Sequence, residues 1–114
     1  MTPIQQIYAL LLQVLPNKVF YGTNVVDETD LEVYPFIVYQ ETSSRAVVYA
    51  DNQTTLRLRT FQITLVTGKK DPALEHHLEI ALTLSGLNYQ MVTEYLNQDG
   101  SVNRVYEIKM EDLS

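Results

Sequence analysis

The chain has no cysteine and no tryptophan. Without thiols there can be no disulfide, no zinc–thiolate or iron–sulfur site and no thiol nucleophile. Glycine is scarce: Gly22, Gly68, Gly86 and Gly100 each stand alone at a predicted turn, so no glycine-rich loop is present to cradle a phosphate. Basic residues are few as well. Eight Lys and Arg against fourteen Asp and Glu give a charge of −6 at pH 7. That balance is poor for wrapping nucleic acid, whose affinity comes mostly from phosphate neutralisation. No hydrophobic run approaches the roughly 20 residues that span a bilayer. The run Ala9-Leu10-Leu11-Leu12 follows no basic segment, since the first Lys is Lys18, and the polar positions around it are Gln. Neither a secretory signal nor a membrane-surface helix is expected.

Chemistry-bearing clusters are equally sparse. The only histidines, His76 and His77, are adjacent on a predicted helix. They point about 100° apart there and have no third ligand close in sequence. No Gly-x-Ser-x-Gly occurs, and the serines fall in loops, at helix ends or at the terminus. Asp27, Glu28 and Asp30 form an acidic stretch on a polar loop, where carboxylates are solvated and keep ordinary acidity. The expectation is a protein that is not an enzyme and has no cofactor or metal.

What the chain does have is the make-up of one globular domain, residues 1–114. It is 46% apolar and 19% charged, and long enough to bury a core without staples. Thr2-Pro3-Ile4-Gln5 opens a helix with a capping residue, a first-turn proline and a capping-box glutamine. Ile4, Ile7, Tyr8, Leu11, Leu12 and Leu15 follow as one apolar stripe, and Pro16-Asn17 stops it. Val19-Phe20-Tyr21 is a short strand, and residues 23–34 read as a loop. Pro35 opens a strand over 36–41. Residues 42–56 are mixed, either a short strand around Ala46-Val47-Val48-Tyr49 or a mobile arm. Arg57–Thr67 alternates strictly, with Phe61, Ile63 and Leu65 on one face and Thr60, Gln62 and Thr64 on the other. Asp71-Pro72 starts a second helix that carries Leu74, Leu78, Ala81 and Leu82 inward and stops at Ser85-Gly86. Residues 89–96 and 104–110 form a terminal hairpin around Asp99-Gly100. The fold class is α+β: an antiparallel sheet with two helices on one face, in the order α-β-β-(β)-β-α-β-β.

Tyrosine is plentiful, with eight residues. Tyr combines contact area with a polar tip and suits interfaces as well as half-buried sheet positions. Arg57 and Arg59 flank Leu58 on a strand, where such residues blunt an edge or meet acids of a neighbour.

The element order, together with Val33-Tyr34-Pro35-Phe36-Ile37-Val38-Tyr39, Tyr49-Ala50-Asp51-Asn52, the strand Arg59–Val66 and the Asp71-Pro72 helix, resembles small tail-terminator proteins of long-tailed phages and prophages. These are also called tail-completion or head–tail joining proteins. The resemblance implies a homo-oligomeric ring, commonly a hexamer, that caps the tail tube and docks onto the head connector or stopper. DNA would pass through its channel without specific binding, and an acidic subunit suits such a channel. It implies a virion protein, present in the host cytoplasm before assembly, with no membrane partner. The expected ring interface comprises Tyr39, Glu41, Arg45, Tyr49, Arg57 and Arg59, with Asp27, Glu28 and Asp30 of a neighbour as facing acids. The other reading is a non-enzymatic α+β adaptor that binds one partner protein by a sheet edge.

Overall fold

The computed structural model describes residues 2–16, 18–22, 34–48 and 55–113. Helix α1 spans Pro3–Val14 and α2 spans Pro72–Leu84; the strands are β1 (Val19–Tyr21), β2 (Phe36–Val48), β3 (Thr55–Thr67), β4 (Asn88–Leu96) and β5 (Val102–Leu113). Both helices begin as their capping residues dictate. The Thr2 hydroxyl accepts the Gln5 amide at 3.2 Å, and the Gln5 side chain accepts the Thr2 amide at 3.0 Å. The Asp71 carboxylate accepts the Leu74 amide at 3.2 Å. Each pair satisfies amides that the first helical turn leaves without partners. Gly86 takes up φ +79° just past α2, a conformation that a side chain disfavours.

The five strands form one sheet in the order β1-β2-β3-β5-β4. All neighbours are antiparallel except β1 and β2, which run parallel with Val19 opposite Ile37. The sheet is therefore mixed, which corrects the wholly antiparallel expectation. Parallel neighbours need a long crossover, and the chain between Tyr21 and Phe36 is long enough to supply one. A second correction concerns residues 42–48. They are neither a separate short strand nor a loose arm but the second half of β2, paired with β3 through Val48 opposite Thr55. A bulge between Glu41 and Ser43 marks where the strand changes character. The element order becomes α-β-β-β-α-β-β.

The register gives the sheet two faces. Ile37, Tyr39, Phe61, Ile63, Leu65, Tyr106 and Ile108 share one. These residues form a single buried cluster with Ile7, Leu11 and Val14 of α1 and Leu78 and Leu82 of α2. The opposite face buries Phe36, Val66 and Val105. There the rings of Tyr34 and Phe36 stack at 5.7 Å and Phe20 meets Phe36 edge-on at 6.4 Å. The molecule measures 54 × 27 × 24 Å, and its radius of gyration of 15.7 Å exceeds the value of about 13 Å expected for a compact chain of this length. The excess length is the outer half of β2, β3 and β5, which runs on beyond the helices as a three-stranded arm.

Candidate functional site

The arm is built from residues 42–48, 55–60 and 109–113. On β3 it alternates Leu56 and Leu58 with Arg57 and Arg59, and polar side chains tie its strands together. Arg59 Nη1 lies 2.9 Å from Glu41 Oε2, Arg57 Nη1 donates to the Ser44 hydroxyl at 3.0 Å, and the Thr42 hydroxyl donates to the Thr60 carbonyl at 3.2 Å. Such cross-strand pairs add a few tenths of a kcal/mol to about 1 kcal/mol each.

At the other edge of the sheet, β4 pairs only with β5 among the described residues. Every residue from Gln90 to Leu96 is exposed. Among the described residues eight large hydrophobic side chains are exposed, and four of them (Met91, Val92, Tyr95 and Leu96) are on β4. A bulge at Met91/Thr93 interrupts its ladder. Little apolar contact holds this strand to the helices; a polar cluster does. Arg104, on the inward face of β5, reaches Glu94 of β4 at 3.0 Å and Glu79 of α2 at 3.3 Å, and its Nε donates to the Tyr106 hydroxyl at 2.7 Å. Tyr106 in turn donates to Glu79 at 2.9 Å. Lys70, in the turn before α2, bridges buried Glu75 at 2.8 Å and Glu94 at 2.7 Å.

The cluster moves the acidities of its members in the direction of mutual stabilisation. Hydrogen bonds to Glu75 and then Glu94 raise the Lys70 pKa, and the bond from Lys70, with help from Arg104, holds Glu94 below its ordinary value of 4.5. Burial pushes the Tyr106 hydroxyl up, and its bond to Glu79 adds to this. Burial alone would lower Arg104, but its bonds to Tyr106 and Glu94 outweigh that and keep it firmly protonated.

Of the residues expected at an interface, Tyr39 is in the core, 5% exposed and stacked on Tyr8 at 6.0 Å. Burial, with Tyr8 and Tyr21 close by, raises its pKa. It offers no surface to a partner. Glu41, Arg57 and Arg59 meet one another or Ser44 along the arm, as given above, and Arg45 is exposed on the same strand. Tyr49, Asp27, Glu28 and Asp30 lie outside the described residues. His76 and His77 are both exposed, and His77 borders a shallow groove between the helices lined by Leu10, Val14, Ile80 and Leu84. Among the described residues no three His, Cys, Asp or Glu are grouped to hold a metal ion, and no helix is long and apolar enough to cross a membrane.

The sequence reading missed the Arg104 cluster. One signal was available: along β5, Val102, Arg104, Tyr106 and Ile108 alternate inward, so a charge falls at an inward position, and Glu75 and Glu79 are one turn apart on α2.

No protein-family model and no curated protein matches the chain. Among solved structures it is similar to a chain from the virion of a native gene transfer agent particle. The likeness covers 96% of this chain and 91% of that one, with a TM-score of 0.50 and 11% identity. At that identity the likeness is one of fold.

Two outcomes follow for the cluster. Arg104→Ala removes the cation that Glu79 and Glu94 share, leaving Glu94 to Lys70, and should cost about 1–3 kcal/mol in urea unfolding. Arg104→Lys should recover only part, because one ammonium cannot reach Tyr106, Glu79 and Glu94 together. The second outcome concerns acid. Because Glu94 is more acidic folded than unfolded, its contribution is complete above about pH 4.5 and is lost as pH falls through the lowered value. Amide exchange, corrected for its intrinsic pH dependence, should show β4 losing protection there before β3 does.

Proposed function

We propose that this chain is a virion structural protein of a long-tailed phage or prophage. In this reading it caps the tail tube as a homo-oligomeric ring, a hexamer by resemblance, and joins the tube to the head connector. The observation that supports it most is the fold shared over 96% of the chain with a component of a gene transfer agent virion. The shape of the subunit agrees with this reading. An arm that leaves the body and an edge strand exposed along its length are of little use to an isolated domain and suit a subunit that meets neighbours. The chemistry is that of a scaffold and not of an enzyme, with no cofactor called for. An acidic subunit, repeated around a ring, repels phosphates and lets DNA pass without holding it. The protein then belongs in the virion, and in the host cytoplasm before assembly, with the tube protein and the connector or stopper as its partners.

The exposed apolar residues of β4 favour one other reading, an adaptor that receives a strand of a single partner protein. Electron microscopy of the protein mixed with tail tubes of its own phage separates the two. The ring reading expects density at one end of each tube and none along its sides. Bare tube ends at saturating protein would sink it. Arg45 is exposed on the arm, so Arg45→Glu should lower occupancy of tube ends several-fold while leaving the unfolding free energy within about 0.5 kcal/mol of the parent.

A further inference from the structure

We infer that successive copies of this chain join head to tail through their sheets, β4 of one copy pairing antiparallel with the free outer half of β2, residues 42–48, of the next. The inference rests on the ring reading only for closure of the assembly.

Three features carry it. The first is that the sheet of the described residues has two open edges. Among those residues, β4 has β5 on one side and no strand on the other, and β1 covers β2 only from Ile37 to Tyr39. The second is strand direction. From β2 to β4 the chain reverses three times, at β2/β3, β3/β5 and β5/β4, so the two open edges run in opposite directions. β4 lies level with Phe36–Ser43 of its own β2, so repetition about an axis inclined to the strands, as in a closed barrel, supplies the stagger that brings β4 of one copy antiparallel to residues 42–48 of the next. The backbone groups on each edge then find partners without either sheet turning over. A junction between two unlike edges is heterologous, the kind that builds rings.

The third feature is charge, and it selects the second copy as the occupant. Residues 71–96, which include α2 and β4, carry Asp71, Glu75, Glu79 and Glu94 and no Lys or Arg. Lys69 and Lys70 adjoin this stretch, and Lys70 and Arg104 meet three of its acids, so the edge is acidic by one charge. The arm carries Arg45, Arg57, Arg59 and Lys109 against Glu111 and Asp112, and Glu41 at its base is engaged by Arg59. On the β2 edge itself, residues 42–48, Arg45 is the one charge, so this edge is basic. Opposite signs on opposite edges attract head to tail. Pairing β4 with β4 about a two-fold axis brings acidic surfaces together instead.

Because the chain lacks cysteine, disulfide trapping has no background. Neighbouring antiparallel residues have Cα atoms about 4.5–5.5 Å apart, within the range a disulfide bridges. Ser43→Cys and Ser44→Cys would be made on the β2 edge, and Gln90→Cys and Thr93→Cys on the β4 edge, all at exposed positions. Each β2-edge variant would be mixed with each β4-edge variant, in full-length protein, and oxidised with glutathione disulfide. Circular dichroism would first confirm that each variant folds, and two variants per edge guard against one that does not. The expected result is a crosslinked dimer in at least one mixture and none in any single variant. A β4-edge variant that crosslinks alone would establish two-fold pairing and overturn the inference. So would absence of any crosslink, whether the parent protein is oligomeric or monomeric at the same concentration. If it is oligomeric, only the edge pairing fails and the ring reading stands. Crosslinked but open chains in the microscope would keep the edge pairing and remove the ring.

Discussion

A strand rises about 3.3 Å per residue and a helix about 1.5 Å, and this mismatch shapes the molecule. The strands β2 and β3 have 13 residues each, as does α2, while α1 has 12. Thirteen residues of strand extend about 43 Å and thirteen of helix about 20 Å. Two such helices can cover only half of such a sheet. Under them the inward residues are apolar and buried, from Phe61 to Leu65 on β3 and from Tyr106 to Ile108 on β5. Past them the same strands continue with Arg57, Arg59, Ser43 and Ser44, held by cross-strand polar pairs. The arm is thus the part of the sheet that the helices are too short to reach.

The same limit acts across the sheet. The helices cover its middle, and β4 at the rim reaches the core through Tyr89, which meets Tyr106 edge-on. What seats it is its ladder with β5 and a cluster that draws Lys70, Arg104 and three carboxylates together from a turn, a helix and two strands. Half-buried ion pairs of this kind fix geometry more than they add stability. The result is an edge strand held in place from below and open from the side. An isolated protein would blunt such an edge; here a bulge at Met91/Thr93 and the inward charge of Glu94 do so over only part of its length.

Local rules made much of this legible in sequence. Thr2-Pro3 and Asp71-Pro72 announced both helices, because capping is decided within four residues. The alternation from Phe61 to Leu65 announced β3, because one face is apolar and the other is not. Residues 42–48 gave no such signal. Their strand character comes from pairing with β3, from Val48 opposite Thr55 to Ser43 opposite Thr60, and Thr42-Ser43-Ser44 resembles a loop when read alone. The parallel pairing of β1 was hidden for the same reason. Tyr39 shows the ambiguity of tyrosine: the residue type fits an interface, and packing against Tyr8 and Tyr21 puts it in the core. The Arg104 cluster gathers residues scattered from position 70 to 106, and only the fold brings them together.

The central claim is that this is a subunit, with an arm and two unlike open edges that remain unfinished until copies meet. Native mass by light scattering, over a concentration series at low and moderate salt, tests it most directly. The account predicts a mass that rises with concentration toward a closed multiple of the 13.1 kDa chain, near six, and that falls back as salt screens the basic arm from the acidic edge. A mass that stays at one chain at every concentration and both salt levels would contradict it.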